Sequence, residues 1–461
     1  MPDQTLAPPG TPKDGLFSRK YGAATCSFAA VMFLTGFAAL AVVPTLPTAA
    51  RDLDGVALFP LVAGCFVSAS LLGGVLGGHW ADRSGARGPL AAGMALTVVT
   101  LLVSATSTSI WQLAGGRFLD GLAAGMVAVS VNTAIGQAYP DRLRPRALAL
   151  MSTSWIIPSL AGPPLAGLVT EWWSWRAVFY GLAALTLLPA LALVVVLRGR
   201  SWPGTAAPSD ERPPRPALLI AATVSLGAAL GQYGVSGRDL RHLLFVAVGL
   251  GLLVTFAPRL LPVGTWRAAR GLPTTVLLRG LGSGVFFTLE AFVPLMLITE
   301  RHVPAVMIGF AFTGAAVVWA GASWVQGRLL ENWPRHRLVV VGALVQSAAV
   351  VIAVVGTLPG VPALTAAAAM LVAAVGMGLL DPSLTVLSLS HSPPGRQGHA
   401  SSAMQTNQNL GQIAVLGLAA AVLNTCLAIG ASDLTGYAAA FVLLLVPSLL
   451  VVLLAGRARR A

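Results

Sequence analysis

The sequence predicts an all-α membrane protein built as two six-helix bundles with two additional central helices. Three observations carry that prediction. Of 461 residues, 56% are hydrophobic and only 10% charged, more apolar surface than a water-facing exterior can hide. Apolar runs of about 18 residues or more recur along the whole chain, each long enough to cross the hydrocarbon of a bilayer. The chain also partly repeats itself, so that two stretches of similar span pattern flank a central insertion.

Apolar length and Gly, Pro and charge punctuation place spans near 23–48, 57–79, 88–107, 109–138, 144–170 and 176–197. A Pro- and charge-rich linker at 198–216 follows, and two shorter spans lie near 217–236 and 241–258. Six more lie near 272–299, 304–327, 337–358, 361–390, 398–427 and 435–456, about fourteen in all. The expected organisation is a tail at 1–22, a first bundle at 23–197, the linker at 198–216, the two extra spans with their loop at 217–271, a second bundle at 272–456 and a tail at 457–461. The first apolar stretch is too long for the core of a cleaved signal peptide and is read as a retained span.

With both termini placed in the cytoplasm, external segments hold only Arg51, Arg176, Arg238, Arg241 and Arg301 of the 29 Lys and Arg residues. Arg117 and Arg279 fall within spans, and the rest lie in cytoplasmic segments. This asymmetry orients the chain and accounts for its net charge of +13 without nucleic acid as a partner. Cys26, Cys65 and Cys426 sit in apolar runs with neither CxxC nor CxxxH spacing, so no metal site is expected. The six histidines are scattered and no nucleophile–base constellation is present, which points away from an enzyme and requires no cofactor.

A shift of 253 residues brings Gly125 onto Gly378, Pro140 onto Pro393, Ala147 onto Ala400, Met151 onto Met404 and Ala166 onto Ala419. Parallel halves with a site between them are a recurring transporter design.

Three motifs sharpen this. Between spans two and three stands Gly78-His79-Trp80-Ala81-Asp82-Arg83-Ser84-Gly85-Ala86-Arg87. Span four carries Arg117-Phe118-Leu119-Asp120-Gly121, and span five carries Gly162-Pro163-Pro164-Leu165-Ala166-Gly167. These resemble the G-x-x-x-D-R-x-G-x-R loop, the R-x-x-x-G motif and the G-P-x-x-G-G antiporter motif of the major facilitator superfamily. Trp175-Arg176-Ala177-Val178-Phe179 also fits that family's W-R-x-x-F start of span six. With the two central spans, the chain is similar to the fourteen-span drug:proton antiporter branch. The resemblance implies the major facilitator fold, a conformational-switch loop at Gly78, Asp82, Arg83, Gly85 and Arg87, and an antiporter-motif helix at Gly162, Pro163 and Gly167. One departure is that span one carries no acid.

The acids within spans are therefore the proton-coupling candidates: Asp120 with Arg117, Glu290 and Asp381. A charge at the bilayer centre costs about 2.5–3.5 kcal/mol on insertion scales, so each needs a partner, water or a proton. Arg117 and Asp120, three residues apart, share a helix face and can act in coupling or simply neutralise each other. Arg279 and Glu290 lie three turns apart on one face and can line one cavity. Asp381 can serve such a cavity or bond backbone freed by Pro382. Gln405, Gln408, Asn409 and Gln412 form one helical stripe facing protein or water, either bonding between helices or lining a substrate path, with Asn132 a further candidate. Trp155, Trp172, Trp173, Trp175 and Tyr180 read as interface anchors around one external loop.

The expectation is a monomeric, multi-pass protein of the bacterial cytoplasmic membrane that exports amphipathic small molecules in exchange for protons. Its partners are substrate, protons and membrane lipids. A lipid exporter of the same fold and a nontransporting scaffold or receptor are the alternatives.

Overall fold

A computed structural model describes residues 15–19, 21–139, 143–198, 216–237, 239–330, 332–391 and 397–459. Most of the 1–22 tail and of the 198–216 linker, together with Pro140 and Pro393 of the repeat, lies outside the described residues. Among the described residues there are helices and no strands. In the first half they are α1 (Gly22–Val42), α2 (Leu46–Asp52), α3 (Phe59–Ser84), α4 (Arg87–Ala105), α5 (Ile110–Ala138), α6 (Arg144–Thr153), α7 (Ile156–Trp172) and α8 (Trp175–Arg198). Two central helices follow, α9 (Pro216–Gly234) and α10 (Leu240–Phe256). The second half holds α11 (Leu272–Thr299), α12 (Ala305–Arg328), α13 (Arg335–Val355), α14 (Ala363–Ser390), α15 (Gln397–Ala428), α16 (Asp433–Leu443) and α17 (Leu445–Leu454).

Among the described residues, eleven rods are long and apolar enough to cross a bilayer. Trp175–Leu191 and Leu218–Gly234 are shorter apolar helices. Three of the spans read as continuous are broken, the last of them at Leu444 between α16 and α17. The first bends through the turn Val43–Thr45, which holds Pro44, before α2 carries it on to Asp52. The fifth is split into α6 and α7 at Ser154 and Trp155. Helix starts follow local chemistry: the Ser109 hydroxyl accepts from the Gln112 amide at 3.3 Å to begin α5, and Ser432 does the same for Thr435 at the start of α16.

Without a hydrophobic force between helices in lipid, close association depends on small residues. Gly73 and Gly77 of α3 interlock with Gly121 and Gly125 of α5, so closely that a methyl on Gly77 would lie 2.9 Å from the Met126 Cα. Gly280 and Gly284 of α11 meet Gly411 of α15 in the same way, and Gly342 of α13 meets Gly376 of α14. The internal repeat is visible here. Gly125 seats α5 on α3, and its counterpart Gly378 seats α14 on α12, with Trp319 O where a methyl would be 2.7 Å away. Ala147, Ala400, Met151, Met404, Ala166 and Ala419 are all buried.

The halves meet unevenly along their length. At the α2 end, one continuous core joins Leu46, Ala49, Phe59 and Trp175 of the first half to Phe292, Leu295 and Ile308 of the second. At the opposite end the first half has a separate core around Phe28, Leu90, Met94, Tyr139 and Met151. Arginines at the α2 end stitch its loops. Arg51 donates to Ile298 O at 3.5 Å across the halves, Arg176 to Ser107 O at 2.9 Å and Arg301 to Leu358 O at 2.8 Å.

Candidate functional site

Between the halves lies a cavity of about 640 Å³. The first half supplies Leu40, Val43, Ala63, Phe66 and Arg117, with Trp155, Ile156 and Ser159 from the break between α6 and α7. The second half supplies Phe286, Phe287 and Glu290 from α11, Ala316, Trp319 and Ala320 from α12, and Gln412, Ile413 and Leu416 from α15. Apolar and aromatic groups make nearly all of the wall. Phe286 meets Phe287 and Trp319 edge to face, at centroid distances of 5.1 and 5.0 Å. Such a wall binds apolar bodies with little demand for shape, and its ring faces attract cations.

Two charged positions interrupt it. Arg117 donates to the Asp120 carboxylate at 2.6 Å, and both are buried. Its guanidinium also lies 4.4 Å from the centre of the Phe66 ring. The i, i+3 spacing on α5 places both groups on one face, and the pair is neutral as a whole. Glu290 is different. It faces the cavity half-buried, against Phe286 and Ala315, and among the described residues no cation or hydrogen-bond donor meets its carboxylate.

Of the other candidates, Arg279 is not among the residues of this wall, being about 16 Å along α11 from Glu290. It forms an ion pair with Asp381 and donates to Gln408 Oε1 at 2.8 Å, tying α11, α14 and α15 together within the second half. Arg279 and Glu290 therefore do not share the cavity, although they share a helix. Asp381 is the salt-bridge partner of Arg279. In the glutamine stripe only Gln412 reaches the cavity, while Gln405 donates to Asn409 at 3.3 Å. Gln408 bonds between helices through Arg279, and the off-stripe Asn407 does so too, donating to Val276 O at 2.6 Å. Asn132 is exposed on α5 and is not part of the wall.

The aromatic cluster divides too. Trp172 and Trp173 are 70% and 76% exposed, as interface anchors would be. Trp155, however, lines the cavity, with its indole ring against Gly36 of α1, and Trp175 is buried with Nε1 donating to Asp52 at 3.2 Å. Sequence reasoning missed Gln232 of α9, a lone amide in an apolar helix. It is 2% exposed, and it donates to Ile413 O at 2.8 Å directly behind the cavity wall.

The model for the Major Facilitator Superfamily matches residues 28–416. The chain belongs to that superfamily. It is 28% identical over 400 residues to a Mycobacterium tuberculosis protein named "Probable multidrug-efflux transporter", covering 82% of this chain and 83% of the relative. Multidrug resistance protein 1 of Bacillus subtilis is 29% identical over 159 residues, or 34% of this chain and 40% of that one. Among solved structures, a POT family transporter in complex with 5-aminolevulinic acid superposes with a TM-score of 0.72 at 13% identity, covering 97% of this chain and 99% of the other. A D-xylose-proton symporter gives 0.64 at 15% identity, with 93% and 96% covered. These likenesses share the fold, and the protein is a multi-pass membrane transporter of that superfamily.

The superfamily motifs acquire physical roles in this setting. Gly85 ends α3 with φ +82°, a conformation that explains a glycine in the loop signature. Arg83 of that loop is exposed, Gly78 lies beside Val129, and the Asp82 side chain lies outside the described residues. Arg87 begins α4. In the span-five motif, Gly162 lies against Ala41 of α1 and Gly167 against Ala305 and Val306 of α12. The Pro163 carbonyl faces Gly309. Through Pro163 and Gly167 the motif thus forms part of the surface on which the two halves touch.

Proposed function

We propose that this transporter exports amphipathic small molecules by alternating access and exchanges them for protons across a bacterial cytoplasmic membrane. The observation that carries the reading is Glu290, an acid with no counter-ion among the described residues, in an aromatic cavity where the two halves meet. A carboxyl in that position is tolerable when it holds a proton or when a cationic group sits beside it. The two occupants exclude each other, which is the requirement for antiport. The Mycobacterium tuberculosis relative named as a probable multidrug-efflux transporter supports export as the direction. The Lys and Arg asymmetry supports cytoplasmic termini, and the closed α2 end then faces outward.

In this reading the structure is the inward-facing state. Substrate enters from the inner side and displaces the proton from Glu290. The halves then rock until the contacts of Arg51 with Ile298 and of Gly167 with Ala305 part. Arg117 and Asp120 remain neutral together and shape the wall. Exchange of one proton for one cationic substrate moves no net charge, so the pH difference drives it, sustaining a substrate gradient of about tenfold per pH unit.

The test is flux in proteoliposomes under an imposed pH gradient. The panel comprises rhodamine 6G, neutral amphiphiles and a fluorescent phospholipid, with lumenal pH followed by a trapped dye. Dye-dependent proton movement that is absent from Glu290→Gln supports the reading. Phospholipid movement without dye movement points to a lipid exporter. Flux of neither kind points to a nontransporting role.

A further inference from the structure

Two seams run between the halves, one where α3 faces α15 and one where α7 faces α12, and the molecule closes them differently. Along α7 and α12, contact begins at Gly167 and Ala305 and continues through Pro163 and Gly309. It ends where Thr313 donates to Leu160 O at 2.8 Å. One to two helical turns further from the α2 end, the same faces present Ile156 and Ile157 on α7 and Val317 and Ala320 on α12. All four are exposed, Ile157 by 61% and Val317 by 52%. Ile156 and Ala320 are at the same time cavity wall. Exposed surface and cavity wall thus coincide at Ile156 and Ala320, between two apolar helices. Val317 is about 18 Å along α12, within the depth of the hydrocarbon.

The α3–α15 seam has no such gap. Its wall residues Gly64, Ile413 and Leu416 are buried. Behind them stands α9, fastened to both halves. Ser225 donates to Ser68 O of α3, Gln232 to Ile413 O, and Asn424 of α15 to Val235 O at 2.8 Å. The Gln232 side chain fills the notch left by two glycines: a methyl on Gly64 would lie 3.0 Å from it, and one on Gly417 3.4 Å.

We propose that amphipathic substrate enters the cavity from the bilayer through the seam between α7 and α12, and that α9, wedged in by Gln232, closes the opposite seam to lipid. The proposal rests on the exporter reading and adds a route to it. The added central helices make access one-sided. A molecule dissolved in the leaflet then meets Trp155, Ile156 and Trp319 before it reaches Glu290, so the portal selects for partition into lipid.

The test uses the full-length protein in proteoliposomes, with Cys26, Cys65 and Cys426 replaced by alanine. Val317→Cys and Gly417→Cys are introduced separately; neither residue belongs to the cavity wall. Val317→Cys is expected to react with a pyrene maleimide dissolved in the bilayer and to resist a sulfonated, membrane-impermeant maleimide. Its modification is expected to abolish rhodamine 6G efflux. Gly417→Cys is expected to stay unreactive, and to react with the small N-ethylmaleimide once Gln232→Ala is added, or Gln232→Ser should the alanine variant misfold. Efflux unchanged after modification at 317 overturns the portal while leaving the exporter intact. Equal reactivity at 417 with Gln232 present overturns the seal. Absence of efflux from the unmodified protein overturns the exporter reading itself, a result distinct from both.

Discussion

The two halves place their buried charges in different ways. The first half holds Arg117 and Asp120 as an ion pair on one helix, at the cavity wall. The second half pairs Arg279 with Asp381 across two helices and away from that wall, which leaves Glu290 unpaired within the cavity. All of these groups pay for burial, yet four of the five recover that cost through a fixed neighbour. A partner supplied by the chain makes a charge structural. In the proposed reading, a partner that comes from outside makes Glu290 the means of exchange.

Glu290→Gln is the largest break in that comparison. It is expected to remove dye-dependent proton movement entirely while the thermal unfolding temperature of the detergent-solubilised protein holds. Next is Asp120→Ala, which strands the Arg117 guanidinium in a buried site and is expected to destabilise the protein by about 3–5 kcal/mol. The double replacement Arg117→Leu with Asp120→Leu should recover most of that loss in the same melting assay, and failure to recover would give the pair a role beyond neutralisation. Asp381→Asn removes an ion pair whose partners are partly reached by solvent, for an expected loss of about 1.5–3 kcal/mol. Transport per folded molecule should persist in that variant, and its loss would move the proton path to the second half's pair. The smallest effect belongs to Trp172→Ala, an exposed anchor, with a stability change within about 0.5 kcal/mol and unchanged flux.

Much of this was legible before any coordinates. Length and apolarity located the spans, because a helix that faces lipid has no other way to satisfy its backbone. The repeat located matching contact points, because glycines that seat one helix on another tolerate no substitute with a side chain. Arg117 and Asp120 were legible as a pair because three residues of helix fix their geometry. The Arg279–Asp381 pair was not, since its members lie on helices far apart in sequence and no local rule couples them. The glutamine stripe shows the same limit. Periodicity correctly put four amides on one face, but only packing decided that Gln408 serves Arg279 and that Gln412 alone reaches the cavity.

The sequence by itself determined a membrane-embedded two-bundle helical protein, its superfamily and the acids that must be accounted for, all consequences of solvent, period and short-range spacing. Tertiary structure decided which acid among the described residues is left without a partner, that Trp155 belongs to the cavity, and that Gln232 of α9 bonds Ile413 behind the cavity wall. These depend on distances between helices, set by which small residues interlock, and a single strand of sequence does not contain those distances.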